Sequence, residues 1–440
     1  MATTITPTIV TVNTTVTQAP SVSQLQQSGA IISTGGTTLA TDAYQYCGTL
    51  AQATPLLAAP LAITSLAWAS NTVTVTTAAN LALTTGETFT TTIAGAVPTG
   101  YNGTFVATVT GINTFTYALA TDPGLSTTPG TYLPDDAAFV RDAATTFFAQ
   151  GGSVGVYILE LGAQATAAAS ITALQTWITA NSSPQIFYAY LIPRAWDTSS
   201  SVALNTFSSN YSSPSGQTYF FVTTTLANVV AYDTTKSVLT VIESPTKAST
   251  EVQAASVFYQ WLVNNPGPAN QLAPMAYRYL YGVTPWAQMG NATSINAGLT
   301  AYSNLVLTGA EGGISTATLF KGTLMDGYQA AFWYAVDWFR IQVKLALANA
   351  IINGSNSNPP LLYNQAGINA LLGVANRVGN DAVSYGCALS VVVNAVDFYT
   401  YTQANPSDYA AGIYNGFSAT LVGPSGFLTI TFQLDAVNLV

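Results

Sequence analysis

Between residues 62 and 132 apolar and polar side chains alternate in short runs: NTVTVTT at 71–77, ETFTTTI at 87–93, TFVATVT at 104–110 and NTFTYAL at 113–119. Alternation with period two, broken at Thr85-Gly86, Gly100-Tyr101-Asn102-Gly103 and Gly111-Ile112-Asn113, predicts a small antiparallel β-domain. Pro123, Pro129 and Pro134 close it off, and the chain on either side has a different, helix-containing texture, so the β-domain reads as an insertion.

Residues 134–265 alternate strand with helix. Pro134-Asp135-Asp136 opens a helix running to Gln150, with acids favoured at its positive end. Strands GVYILEL (155–161), IFYAYLI (186–192), TYFFVTT (218–224) and VLTVIES (238–244) alternate with an Ala-rich helix (163–180), a short helical stretch near 202–209 and a helix from about Thr250 to Asn264. Near-continuous apolar strands between amphipathic helices predict a sheet covered on both faces, an α/β layer. In the last of these helices Val252, Ala255, Phe258, Trp261 and Leu262 share one face, which reads as core.

The region from about 325 to 352 is the strongest helix pattern in the chain, ended by Asn353-Gly354, and a second helix follows near 364–378 with Arg377 in its last turn. Asp337, Arg340 and Lys344 fall on one stripe; an intrahelical Asp337–Arg340 pair accounts for Arg340 alone, while Arg340, Lys344 and Arg377 together form a basic strip suited to an acidic partner surface. Both ends of the chain read as extended arms. Residues 1–28 are Thr- and Val-rich, with Ile9, Val10, Val12 and Val16 as β-branched positions and Pro7 and Pro20 opposing helix. Residues 427–440 alternate Leu428, Ile430, Phe432 and Leu434 against polar neighbours. Such a strand needs a partner, either residues 417–422 or another subunit's arm.

Composition narrows the function. Of the 440 residues only 6% are charged, histidine is absent, and 49% are hydrophobic; an ordinary soluble domain has about a quarter charged residues. The length predicts two to four domains. Arg141 is the first of nine basic residues and the net charge is −9, which argues against nucleic-acid binding. Mean hydropathy is positive at +0.34, yet no run supplies the roughly 20 apolar residues of a spanning helix. The start of the chain has no basic or compact apolar signal region, so cytoplasmic synthesis is expected.

Chemistry is sparse. Cys47 and Cys387 stand in no metal or redox spacing and read as buried thiols. No GxGxxG follows the strand at 155–161 and no phosphate-loop motif occurs, so no cofactor or metal is expected. Gly423-Pro424-Ser425-Gly426 lacks nucleophile-elbow spacing, and without histidine a serine triad is excluded. Glu160 and Glu243, both near strand C-termini, are the best pair for an α/β enzyme; that reading requires them to converge in one cleft.

GAIISTGGTTLATDAYQYCGTLAQ (29–52), the inserted β-domain, APMAYRYLYGVTP (273–285) and DWFRIQVKLALANAIING followed by NQAGINALLGVANRVGNDA carry a resemblance to tail sheath proteins of contractile-tailed bacteriophages. The resemblance implies an outer α/β domain (29–61 with 133–268), an inserted β-domain (62–132), an inner, tube-facing domain (269–440) and β-arms at 1–28 and 427–440. It further implies a non-enzymatic virion subunit. Such subunits stack as hexameric rings around a tail tube, contract on a baseplate trigger, and meet tube, baseplate and tail terminator proteins, with no nucleic acid or membrane partner. Arg340, Lys344 and Arg377 would then touch the tube. Low charge and a short C-terminal domain depart from better-known sheaths, which leaves open polar and apolar tube contacts through Asn, Gln and Tyr. The competing classes are another virion structural protein, a surface adhesin, and the α/β enzyme.

Overall fold

A computed structural model describes residues 22–81, 83, 85–309, 314–426 and 428. A short 3-10 turn, Val22–Gln27, leads into strand β1 (Gly29–Ser33), β2 (Tyr44–Cys47) and helix α1 (Leu50–Ala53). Six strands follow: β3 (Leu61–Ala69), β4 (Thr72–Thr77), β5 (Thr88–Ala94), β6 (Gly103–Gly111), β7 (Thr114–Ala118) and the two-residue β8 (Thr131–Tyr132). They close into an antiparallel barrel in the order β3-β4-β7-β6-β5-β8.

Closure explains the barrel's composition. Inward positions are apolar, among them Val73, Val75, Phe89, Ile93, Val109 and Phe115, with Phe89 edge-on to Phe115 at 5.2 Å between centroids. Outward positions such as Thr72 and Thr74 are exposed. A closed barrel has no free edge, so β-branched threonines can cover it without inviting further strands.

The α/β body resumes with α2 (Asp135–Phe148), β9 (Val156–Glu160), α3 (Ala167–Ala180), β10 (Ala189–Leu191), α4 (Arg194–Ser209), β11 (Tyr219–Thr224), β12 (Val238–Ile242) and α5 (Gln253–Leu262). Its six-stranded sheet runs β12-β11-β10-β1-β9-β2, parallel except for β2. β1 sits mid-sheet, pairing β10 on one side and β9 on the other. One face packs Ile31, Leu191, Phe221 and Leu239 against Phe147 of α2 and Phe258 and Trp261 of α5. The other packs Ile32, Leu159, Tyr190 and Phe220 against Trp177 of α3 and Phe207 of α4. Burying one such side chain is worth about 1.5–3 kcal/mol, which makes both layers obligatory.

Several elements differ from expectation. The strand read at 186–192 pairs only over Ala189–Leu191. The helix near 202–209 begins at Arg194, directly after Pro193, and kinks at Ser200, whose backbone is non-helical. Proline at the helix entrance costs no hydrogen bond, which is why the start lies eight residues earlier.

The remaining chain holds α6 (Ala292–Thr300), the hairpin β13 (Leu305–Gly309) and β14 (Ile314–Phe320), α7 (Ala330–Ser355), α8 (Gln365–Ser384), β15 (Ser390–Ala395), α9 (Phe398–Ala404), α10 (Pro406–Ala410) and β16 (Phe417–Val422). α7 starts at Ala330 rather than near 325 because Met325–Tyr328 forms a turn, with Gly327 in the left-handed region. It runs through Asn353-Gly354 to Ser355.

Candidate subunit interface

α7 has two unlike halves. Its first three turns bury Ala331, Tyr334, Ala335, Trp338 and Phe339 beneath the α/β sheet. Its last turns expose Ile351 and Ile352. α8 is started by Asn364, whose side chain accepts from the Gly367 N–H at 2.9 Å, and it packs along α7.

The predicted charge stripe resolves into separate roles. Asp337 is fully buried and accepts from Tyr188 Oη at 2.9 Å and Tyr219 Oη at 2.8 Å. Burial pushes its carboxyl up to about 6, against the pull of Lys236, the two hydroxyls and Arg340. Arg340 Nη1 lies 3.3 Å from Asp337 Oδ1, and Nη2 donates to the Ser215 carbonyl at 2.8 Å. Lys344 is exposed and forms no ion pair among the described residues. Arg377 is also exposed but sits mid-helix, not in the last turn, because α8 continues to Ser384.

Beyond α8 lies a two-stranded sheet. β15 and β16 pair antiparallel from Ser390↔Val422 to Ala395↔Phe417. Val391, Val393 and Leu421 turn one face toward the core, while the other shows Val392 at 55% and Val422 at 48% exposure. Among the described residues neither strand has a second neighbour. A two-stranded sheet is marginal in water by itself, and here packing of its inner face on α8 supports it, while among the described residues the outer face and edges stay available. Leu389, Val396, Tyr399, Tyr409 and Ile413 add exposed apolar surface around it. Apolar patches of this kind mark interaction surfaces.

The expected arm positions Ile9, Val10, Val12, Val16, Ile430, Phe432 and Leu434 lie outside the described residues. Leu428 is described; its carbonyl accepts from Tyr277 Oη at 2.5 Å. On the N-terminal side, Gln26 is buried and donates to the Tyr334 carbonyl at 3.0 Å and to Tyr188 Oη at 3.3 Å. The turn before β1 thus belongs to the body, and any free arm begins ahead of Val22.

Glu160 and Glu243 do not converge. Their strands β9 and β12 are separated by β1, β10 and β11, about 19 Å at roughly 4.8 Å per strand. Glu160 is saturated, accepting from Ser33 Oγ (2.8 Å), the Gly35 N–H (2.6 Å), Thr37 N–H and Oγ1 (3.2 and 2.7 Å) and the Gly162 N–H (2.7 Å). Glu243 is held by Arg194 at 2.8 Å, Lys247 at 3.4 Å and the Gln253 N–H at 3.0 Å. Both carboxylates are structural keystones. Burial raises both thiols, Cys387 to about 12, which keeps them protonated and weakly nucleophilic. Among the described residues no group of three or more His, Cys, Asp or Glu could hold a metal ion, and no helix is long and apolar enough to cross a membrane.

No family model matches the sequence, and no curated protein does. Solved structures do match in fold. A chain of the anti-feeding prophage baseplate, seen by electron cryomicroscopy with sixfold symmetry, aligns over 98% of this chain and 100% of its own, with a TM-score of 0.54 at 11% identity. The sheath tail protein of Listeria innocua aligns over 90% of this chain and 94% of its own, with a TM-score of 0.43 at 11% identity. That of Desulfitobacterium hafniense aligns over 88% and 93%, with a TM-score of 0.40 at 13% identity. The multidomain α/β fold of this chain is thus shared, end to end, with a component of a prophage baseplate.

Proposed function

We propose that the chain is a structural subunit of a phage-type contractile tail, a sheath protein that polymerises as stacked hexameric rings around a tail tube. The observation that carries this reading is the β15–β16 sheet, whose outer edges have no partner among the described residues, set among exposed apolar side chains in a chain that follows the fold of a prophage baseplate component over 98% of its length. Strands from neighbouring subunits, the arms before Val22 and after Gly426, would complete that sheet by main-chain hydrogen bonding. Such links survive rotation and sliding of the bodies they tether, which contraction demands.

In this assignment residues 29–61 with 133–268 form the outer domain, 62–132 the inserted barrel and 269–440 the inner domain facing the tube. Lys344 and Arg377, exposed and without ion pairs among the described residues, are the tube-facing cations; Arg340 supports them from a structural site. The partners are other copies, a tail tube protein, and baseplate and tail terminator proteins. The subunit, made in the host cytoplasm, ends in the virion tail and carries out no chemistry of its own.

Negative-stain electron microscopy of the recombinant chain tests the reading. Full-length protein is expected to form long hollow tubes, and deletion of residues 1–21, which spares the buried Gln26, to abolish them. Monodisperse monomers from the full-length chain under all conditions overturn it.

A further inference from the structure

Asparagine followed by glycine is a chemically labile pair, because the glycine nitrogen, unhindered by a side chain, can attack the asparagine carboxamide. The chain carries three such pairs, Asn102-Gly103, Asn353-Gly354 and Asn415-Gly416, and the fold treats them differently. The Asn102 carboxamide is pinned from both sides: its Oδ1 accepts from the Ala96 N–H at 2.8 Å and its Nδ2 donates to the Ala96 carbonyl at 3.0 Å. Asn353 and Gly354 lie inside α7, where the Gly354 N–H is bound along the helix axis and cannot reach a side chain without unwinding. Asn415 is exposed and lies between α10 and β16, outside helix and strand. Its carboxamide has a single weak contact among the described residues, Nδ2 to Asp408 Oδ2 at 3.4 Å. The Gly416 carbonyl accepts from the Val396 N–H at 3.0 Å, while the Gly416 N–H has no acceptor among the described residues. Packing fixes glycine at this position, since a Cβ would stand 2.5 Å from the Tyr414 ring.

We propose that Asn415-Gly416 is a self-modification site, at which the folded chain converts Asn415 to isoaspartate and aspartate. The Gly416 nitrogen gives up its proton and bonds to the Asn415 Cγ; the Cγ–Nδ2 bond breaks and ammonia leaves with a proton, closing a succinimide. Water then opens the ring, at the backbone carbonyl to give isoaspartate or at Cγ to give aspartate. Two effects follow for β16. The Asn415 N–H donates to Tyr401 Oη at 2.9 Å, and Tyr401 Oη donates to Asp408 Oδ2 at 2.7 Å, so a new carboxylate here stands against Asp408, and like charges repel. Isoaspartate also lengthens the backbone by one atom just ahead of Phe417, the residue paired with Ala395 at this end of the β15–β16 ladder, where register depends on the exact chain path. Where that sheet is the subunit contact, as proposed above, ageing withdraws free subunits from assembly; this consequence rests on the sheath reading, and the modification does not.

Peptide mapping by mass spectrometry tests it. The full-length chain is held in mildly alkaline buffer, native and in urea, and each pair is followed by the mass gained when NH2 is replaced by OH. In urea the three pairs are expected to react at similar rates. In the native chain Asn415 is expected to stay near its unfolded rate, while Asn102 and Asn353, which must first open locally, slow at least about tenfold. Asn415 protected as strongly as the other two, or all three equally reactive in the native chain, overturns the assignment. Aged parent protein is expected to lose tube formation in electron micrographs while identically aged Asn415→Gln, which closes the ring far more slowly, retains it; equal loss overturns the link to assembly. Absence of tubes from the fresh parent counts against the sheath reading alone, since the peptide map decides the modification by itself.

Discussion

Asp337 Oδ2 accepts a hydrogen bond from Tyr219 Oη at 2.8 Å, tying the long helix α7 to strand β11 of the α/β sheet across 118 residues of sequence. Tyr188 donates to the same oxygen. The carboxylate is fully buried. Truncation to alanine leaves two buried hydroxyls without an acceptor, so Asp337→Ala is expected to lose roughly 2–4 kcal/mol of stability in denaturant unfolding.

The same residue makes stability depend on pH in an unusual direction. Burial raises the folded-state pKa to about 6, above the unfolded value of about 3.9. Between roughly pH 4 and 6 the folded protein therefore holds a proton that the unfolded chain has released, and stability falls as pH rises through that window. Asp136, also raised to about 6 by burial, acts in the same sense, so the measurement is a difference. Asp337→Asn, which cannot ionise, is expected to show a shallower decline from pH 4 to 6 than the parent, by at most about 3 kcal/mol in total. Parallel curves would place the titration elsewhere.

Glu160 gathers five donors from the end of β1, the loop that follows it and the turn after β9. An amide at that position keeps one acceptor oxygen and turns an NH2 group against donors. Glu160→Gln is expected to destabilise by roughly 3 kcal/mol, read as a lower denaturation midpoint with unchanged m-value. Glu243→Gln leaves Arg194 and Lys247 without their shared carboxylate, and is expected to destabilise as well.

Val392 and Val422 lie on the outward face of the β15–β16 sheet. Lysine at either position meets solvent in the free subunit, so Val392→Lys and Val422→Lys are expected to change monomer stability by no more than about 0.5 kcal/mol. Strands adding at the edges would bring like charges together and cover that face, so polymer length in electron micrographs is expected to collapse. Tubes of normal length from the double variant would move the subunit contact away from this sheet.

The antiparallel β-domain, though not its closure into a barrel, was legible because alternation at Val73/Val75, Phe89/Ile93 and Phe115/Tyr117 is a local signal, set by which face of each strand meets the core. Its closing strand, Thr131–Tyr132, is too short to carry a period. The α/β layer was legible from its apolar strands, but the central strand Gly29–Ser33 was not read as a strand, since its pairing partners lie more than a hundred residues on. The Asp337–Arg340 pair was readable from spacing alone. Nothing local marks Asp337 as buried; its burial follows from Tyr188 and Tyr219, which only the fold brings to it. Glu160 and Glu243 looked alike as acids near strand ends, and strand order, which sequence does not reveal, is what separates them.

The three cations divide on the same logic. Arg340 is anchored at both ends, to Asp337 at 3.3 Å and to the Ser215 carbonyl at 2.8 Å, and its side chain is 37% exposed. Arg340→Ala is expected to cost stability, up to about 1 kcal/mol for a partly solvated pair plus the lost carbonyl contact. Lys344 and Arg377 face solvent, so Lys344→Glu and Arg377→Glu are expected to unfold with the parent, within about 0.5 kcal/mol. If these two meet an acidic tube surface, charge reversal slows association and weakens its dependence on salt. Binding of a purified tube protein at low and moderate ionic strength, measured for each variant, separates the cases. Retained, salt-insensitive binding would leave tube recognition to uncharged contacts, such as those of the exposed Tyr399 and Tyr409.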